Sequence, residues 1–236
     1  MDVRIRSRKR VVDWLGHADC SSCSLAGRLC QQLPRSRQDG VPLPVDSLTY
    51  GTEMPLYSVG DEAPFVFAVR EGLLKLTQIA SNGMPRIVRF LRGGEVGGLE
   101  ALAGGPYRHT AVAIVPTLVC RIPVDMLQEE GGQDLILSPH IFQHWLRSMD
   151  DADKFITQLS TGPAPGRVAR CLLHVLSTPE QDSCVALSRE DMSALLSVTM
   201  ETVSRTVADF KRQGLLQEGK GRFNFDREGL MSLAAQ

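Results

Sequence analysis

Residues 188–214 read SREDMSALLSVTMETVSRTVADFKRQG, and this segment carries the strongest structural signals of the C-terminal part of the chain. Ser188 is a candidate N-cap for a first helix, with Asp191 three positions later in the place of the capping-box acid. The letters SVT at 197–199 predict a turn. The letters METVSRTVADFKRQG predict a second helix, which Gly214 ends as a C-cap. The stretch therefore predicts two helices joined by a tight turn.

The sequence on either side completes a winged helix-turn-helix. RVARCLLHVL at 167–176 predicts an amphipathic helix, and LLQEGKGRFNF at 215–225 predicts two short strands around a glycine-rich turn. STGPAPG at 160–166 predicts a hinge before them, because two prolines and two glycines stop a helix. We therefore assign residues 161–236 to a DNA-binding domain.

The second helix carries a set of side chains suited to reading bases. Glu201, Ser204 and Arg205 lie at i, i+3 and i+4, near the end that enters the major groove in a helix-turn-helix. Arg205 can bond a guanine in a bidentate manner, Glu201 can accept from a cytosine amine, and Ser204 can bond either kind of edge. Apolar residues occupy the opposite face: Val203, Val207 and Phe210. From the helix alone, an ordinary surface ion pair between Glu201 and Arg205 stays an alternative.

Near the N-terminus, the segment DCSSCSLAGRLC at 19–30 holds Cys20, Cys23 and Cys30 in a Cys-x₂-Cys-x₆-Cys pattern. Thiolates in such a set suit a soft metal ion or an iron–sulfur cluster. The chain is 43% hydrophobic and 22% charged with a net charge of −1, which is typical of a globular cytoplasmic protein without a membrane partner. In the cytoplasm, clustered cysteines favour metal or redox roles over disulfides. We interpret residues 1–40 as an arm ordered by whatever these cysteines bind.

The middle of the chain changes from strands to a helix. Residues 41–137 contain short β-rich runs such as FVFAVREGLLKLTQIA, and Asn82-Gly83 is a strong hairpin signal, so we expect a β-roll. Residues 138–160 predict one long helix whose apolar residues recur at spacings of 3 and 4, which is a heptad seam. The seam consists of Phe142, Trp145, Met149, Ala152, Ile156 and Leu159, with Asp153 among the acidic residues beside it. The helix could pair with a second copy of the chain or pack on its own domain.

Glu-Thr-Val-Ser-Arg at 201–205, after MSALLSVT, resembles the recognition helix of the FNR branch of the CRP/FNR superfamily. The resemblance covers nearly the whole chain and implies an α+β protein. Its parts would be a β-roll like a cyclic-nucleotide-binding domain, a long dimerisation helix and a C-terminal winged helix-turn-helix. It further implies that Glu201, Ser204 and Arg205 contact bases of TTGAT-N₄-ATCAA-like palindromes. The protein would then be a homodimeric transcription regulator that contacts RNA polymerase through loops such as 80–86.

The same resemblance implies a cofactor. Cys20, Cys23 and Cys30 match the arm cysteines of that branch, and Cys120 in PTLVCRIP matches the fourth ligand of an oxygen-labile [4Fe–4S] cluster. The gap before Cys30 is one residue longer than in the enterobacterial pattern. The resemblance therefore implies an oxygen sensor whose cluster controls dimerisation.

Other uses of these parts stay open. The four thiols could bind zinc, or Cys20 and Cys23 could form a thiol–disulfide switch. A cyclic-nucleotide pocket is a further alternative, with Arg108 before His109-Thr110-Ala111 and Glu100 shifted from the family position. We do not expect an enzyme, since neither a Gly-x-Ser-x-Gly motif nor a phosphate-binding Gly-Lys-Ser/Thr loop occurs in the sequence.

Overall fold

The computed structural model describes residues 12–19, 44–128, 139–175 and 182–235. Its contacts divide the chain into two units. One comprises Met1–Lys75 and Leu91–Phe142, and the other comprises Leu76–Phe90 and Gln143–Gln236. Cys20, Cys23 and Cys30 lie outside the described residues. The predicted bounds of the four segments stay predictions.

Strands dominate the first half of the described chain. They are β1 Val12–His17, β2 Asp46–Tyr50, β3 Pro55–Tyr57, β4 Phe65–Glu71, β5 Leu73–Ile79, β6 Pro85–Arg92, β7 Val96–Gly97, β8 Thr110–Ala113 and β9 Thr117–Pro123. One sheet has the order β1-β2-β9-β4-β7, and the other has the order β3-β8-β5-β6. The predicted hairpin at Asn82-Gly83 is confirmed, since it joins β5 to β6 with Gly83 at φ +79. A short 3₁₀ helix, Leu99–Ala103, follows β7.

Several strands contribute buried apolar residues to the core of the first unit. Four consecutive residues of β4 are buried, which indicates a strand covered on both faces. The turn after β4 needs a glycine. Gly72 has φ +104, and a Cβ there would lie 2.5 Å from Thr117 Oγ1. Thr117 Oγ1 in turn accepts a hydrogen bond from the Leu73 amide, so this close approach anchors the first residue of β5 to the first residue of β9.

The predicted arm contains one element that the sequence did not suggest. Residues 12–17 form β1, an edge strand antiparallel to β2. Its geometry is supported by a hydrogen bond of 3.0 Å from Trp14 Nε1 to Asp46 Oδ1. The sequence around β1 is polar and basic, so it gives no strand signal. Its pairing partner β2 lies more than thirty residues away, so neighbouring residues do not indicate the pairing either.

Helices dominate the second half of the described chain. They are α1 Pro139–Lys154, which continues as a π-helical turn Phe155–Leu159, then α2 Ala164–His174, α3 Arg189–Leu196, α4 Met200–Arg212 and α5 Arg227–Ala234. A small antiparallel sheet, β10 Ser183–Val185, β11 Leu216–Gly219 and β12 Arg222–Phe225, has the order β10-β12-β11. The predicted winged helix-turn-helix and the α+β fold class are confirmed. Strand β10 and helix α5 were not predicted.

Among the described residues, no helix is both long enough and apolar enough to cross a lipid bilayer.

Candidate DNA-binding surface and cysteine site

Local hydrogen bonds fix the turn between α3 and α4. Ser188 Oγ accepts from the Asp191 amide at 2.9 Å and caps α3, as the sequence predicted. Ser197 ends that helix in the left-handed region, at φ 56. Ser193 Oγ then donates to Val198 O at 2.6 Å, and Thr199 Oγ1 accepts from the Thr202 amide to cap α4. Because each cap lies within five residues of its partner, the angle between the two helices is encoded locally.

One face of α4 packs against the other elements of the second unit. Val203, Val207 and Phe210 are at most 2% exposed. Thr206 is buried beside them, and its hydroxyl donates to Thr202 O at 2.9 Å, so it needs no other partner. This buried face fixes the rotation of the helix about its axis. It therefore decides which residues α4 presents to solvent.

The exposed face presents the three predicted base-reading residues. Ser204 is exposed, and the Glu201 and Arg205 side chains are 85% and 67% exposed. Arg205 Nη2 lies 3.6 Å from Glu201 Oε1. An ion pair this exposed is worth only about 0.3–0.5 kcal/mol, so it does not hold either side chain away from another ligand. Their contact with DNA bases stays a prediction.

Glu218 is the centre of an ion-pair hub that connects the wing to both helices, and the sequence did not predict it. On β11, Glu218 Oε2 accepts from Arg189 Nη2 at 2.9 Å and from Lys211 Nζ at 2.5 Å. Arg189 starts α3 and also lies over the Phe223 ring, 5.5 Å from its centroid. The hydrogen bond from Lys211 is the largest cause that lowers the pKa of Glu218. Partial burial raises the pKa of Glu218 and opposes this effect, whereas the nearby Arg189 lowers it further. One carboxylate thus connects α3, α4 and the wing.

Replacing Glu218 by glutamine is expected to destabilise the second unit by about 1 kcal/mol at neutral pH, as for a partly exposed ion network. The pKa of Glu218 in the folded chain lies below its ordinary value of 4.5. Its contribution is therefore complete above that ordinary value and is lost as the pH falls through the folded pKa. Urea unfolding at neutral pH and near pH 3 measures both effects.

The matched control is Glu62→Gln, which changes an exposed glutamate in the first unit. We expect no effect of that change on the second unit. If Glu218→Gln and wild type unfold at the same urea concentration at neutral pH, the hub does not stabilise the wing.

An exposed apolar stripe runs along α1 and into the π-helical turn. Its members are Phe142 at 62%, Trp145 at 46%, Met149 at 63% and Ile156 at 66% exposure. Ala152 and Asp153 are exposed beside them. Four large apolar side chains on one helical face are left uncovered by the described chain, which favours a partner surface over packing within the chain.

Leu159 does not belong to this stripe, although the heptad spacing placed it there. It is 2% exposed and lies with Phe155 on the inner side. The cause is the π-helical turn Phe155–Leu159. Its wider winding rotates Leu159 away from the line of the earlier seam residues. The exposed stripe therefore ends at Ile156.

Cys120 is the one predicted cluster ligand within the described ranges. It is 5% exposed on β9, where it lies opposite Ser47 of β2 and Ala68 of β4. Cys120 belongs to a group of buried core residues in the first unit, and Ala18 and Ala63 pack against that group. The Ala18 amide donates to Val45 O at 2.7 Å, which anchors the chain at that point.

The residues of the alternative nucleotide pocket also meet. The Arg108 amide donates to Glu100 Oε1 at 2.8 Å, and Glu100 lies in the 3₁₀ helix that follows Gly98. The Glu100 carboxylate is therefore used to hold the loop before β8.

No three His, Cys, Asp or Glu side chains converge on a possible metal position within the described residues.

Comparison with known proteins assigns both halves of the chain. Residues 166–233 match the Crp-like helix-turn-helix domain, and residues 48–131 match the cyclic nucleotide-binding domain. The transcriptional activator protein FnrA of Stutzerimonas stutzeri is 32% identical over 232 residues, which cover 92% of this chain and 93% of FnrA. The chain belongs to the CRP/FNR family. The family prediction is thus confirmed, and the protein is a DNA-binding transcription regulator.

Two further comparisons also cover most of the chain. The transcriptional activator protein anr of Pseudomonas aeruginosa is 31% identical over 93% of this chain and 94% of its own length. The structure of FixK2 from Bradyrhizobium japonicum superimposes with a TM-score of 0.69 at 27% identity, over 82% of this chain and 99% of FixK2. The similarity therefore spans the strand-rich and the helical parts together.

Proposed function

We propose that this CRP/FNR regulator responds to oxygen through a [4Fe–4S] cluster bound by Cys20, Cys23, Cys30 and Cys120. The observation that carries the proposal is the surroundings of Cys120. Its thiol is buried, yet its cross-strand neighbours Ser47 and Ala68 are small. No large side chain therefore lies directly beside the Cys120 thiol on either neighbouring strand, and apolar residues of the same buried core surround it.

The anchored end of the N-terminal segment supports the same proposal. Ala18 packs against the cluster of buried residues that contains Cys120, and Cys20 follows two positions later. Two residues of chain span at most about 7 Å. A cluster shared by Cys20 and Cys120 would then need only a short span of chain beyond Ala18, and thiolate ligands suit an iron–sulfur cluster.

The chain's own residues would link that site to DNA. When bound, the cluster would supply a centre that oxygen degrades. Two copies would pair through the exposed stripe of α1, and Asp153 would oppose the pairing because like charges meet across a twofold axis. A pair sets two α4 helices one helical turn of DNA apart, as a TTGAT-N₄-ATCAA palindrome requires. The loop at 80–86, in which Met84 is exposed, would contact RNA polymerase.

Replacing Cys120 by alanine tests the proposal directly. Wild-type protein purified without oxygen should show a broad visible absorption, contain iron and acid-labile sulfide in equal amounts, and bleach in air. Cys120→Ala should be colourless under the same conditions and should lose oxygen-dependent binding to the palindrome. Absorption spectra, iron and sulfide analysis, and DNA binding with and without air measure these outcomes.

Cys184→Ala is the matched control, because Cys184 is also buried, at 2%, but lies in the second unit. This variant should keep the colour. A colourless wild type that contains zinc would contradict the cluster and support a zinc site. A colourless wild type whose operator binding depends on a cyclic nucleotide would support the nucleotide pocket.

A further inference from the structure

We propose that Arg170 is a positioning residue for DNA binding, which holds the end of the dimerisation helix and the helices of the DNA-binding domain at a fixed distance. Arg170 lies in α2. Its Nε donates to Gln158 O at 2.5 Å, its Nη2 to Thr161 O at 2.5 Å, and its Nη1 to Ala234 O at 2.7 Å. One guanidinium thus bonds the π-helical turn, the connector after it and the end of α5.

Each accepting carbonyl lies at or just beyond the end of a helical segment. The last carbonyls of a helix have no partner within the helix, and the negative end of the helix dipole favours a cation there. A guanidinium suits this task because its donors lie in one rigid plane and point in different directions. An ammonium group is a single point and cannot reach three carbonyls from three segments in the same way.

Two glycines make room for the guanidinium. Gly162 has φ +82, and a Cβ there would lie 3.1 Å from Arg170 Nη2. A Cβ on Gly166 would lie 3.2 Å from Arg170 Nη1 and 3.1 Å from Leu233 O. A side chain at either position would therefore press on the guanidinium. The close approach of Gly166 to α5 also keeps Ala234 O within reach.

The three segments are held by packing as well as by hydrogen bonds, since α2 contacts both the π-helical turn and α5. A cavity of about 440 Å³ lies between them, lined by Gln158 of the π-helical turn, by Arg170 and its neighbours on α2, and by Met231 and Ala234 of α5. The hydrogen bonds of Arg170 cross this open gap and therefore add to the packing of α2 on α5. Arg167 adds one more such bond, from its Nε to Leu159 O at 3.0 Å.

This arrangement matters for DNA binding because α2 packs on both α4 and α5. The bonds of Arg170 relate the end of the dimerisation helix to the recognition helix within each chain. In a pair of chains, they would fix the separation of the two α4 helices. This last step rests on the proposed pairing through α1, but it does not depend on which group the cysteines bind.

The test compares Arg170→Lys, which keeps the charge, with wild type in the full chain purified without oxygen. Binding is measured to three DNA duplexes: TTGAT-N₄-ATCAA, the same palindrome with a five-base-pair spacer, and a single TTGAT half-site. The dimer dissociation constant is measured by sedimentation. We expect Arg170→Lys to bind the four-base-pair palindrome about tenfold more weakly, as for the loss of hydrogen bonds to a charged group. Half-site binding and dimerisation should not change, and preference for the four-base-pair spacer should fall.

Gly166→Ala is the second variant, because it keeps Arg170 but crowds its guanidinium, and it should lower spacer preference in the same direction. Arg70→Lys, in the first unit, is the matched control and should behave like wild type. Unchanged spacer preference in both α2 variants would overturn the proposal. So would an equal loss of binding to the half-site, or a weaker dimer that accounts for the whole effect. A wild-type protein without any spacer preference would instead contradict the proposed palindrome.

Discussion

Alanine in place of Arg205 is expected to remove most of the preference for the G·C pair at the third position of the TTGAT half-site. A bidentate arginine–guanine contact supplies about 1–3 kcal/mol of discrimination, which is roughly 5- to 150-fold between TTGAT and TTAAT. Arg205 is suited to the contact because its side chain is 67% exposed and its neighbour Glu201 binds it only weakly. Fluorescence anisotropy with both duplexes measures the ratio of the two affinities.

Arg212→Ala is the matched control on the same helix. Arg212 is exposed in the last turn of α4, away from the end that enters the groove, and is paired with Asp209. Its loss should weaken binding to both duplexes equally or not at all, because a contact to phosphate carries no sequence information. An Arg205→Ala protein that still discriminates TTGAT from TTAAT as wild type does would contradict the assignment.

Glutamate in place of Met149 is expected to keep the protein monomeric and to abolish operator binding at ordinary concentrations. Met149 is 63% exposed in the centre of the apolar stripe of α1. Removing one buried methionine from each partner costs about 3 kcal/mol or more, which weakens the dimer at least about a hundredfold. The new carboxylate also adds to the charge of Asp153. Sedimentation of anaerobic protein and binding to the full palindrome measure both effects.

Two further variants separate the stripe from general surface effects. Met84→Glu changes a methionine that is 60% exposed on the β5–β6 hairpin, and it should leave the dimer unchanged. Asp153→Ala should act in the opposite direction and tighten the dimer, since it removes like charges beside the seam. If Asp153→Ala leaves oxygen-dependent DNA binding unchanged, charge repulsion does not weaken the pairing.

Local signals made the C-terminal part predictable from sequence. Ser188, the turn at 197–199 and the apolar residues of α4 each act on residues only a few positions away. The structure that they form could therefore be predicted from one short segment of sequence. The missed features depend on distant partners. Glu218 meets Arg189 across 29 positions, and β1 meets β2 across more than thirty. In both pairs, the residue spacing within one partner segment does not indicate which distant segment it contacts.

The error at Leu159 has a different cause. The seam was predicted with one helical period throughout, and that period holds from Phe142 to Ile156. The π-helical turn then changes the number of residues per turn, and a pattern of apolar letters does not show where this happens. For the cysteine site, the sequence named four ligands by resemblance, and the structure adds the small neighbours of Cys120.

The early end of the exposed stripe has a consequence for how the regulator would respond to its own abundance. From Phe142 to Ile156 the stripe spans about two heptads, which is short for a stable pair of helices. Where most chains are single, the number of pairs grows with the square of chain concentration, so doubling synthesis gives about four times as many pairs. The rate at which the cell makes and degrades this protein would then be a second input to the promoter, alongside the proposed response to oxygen.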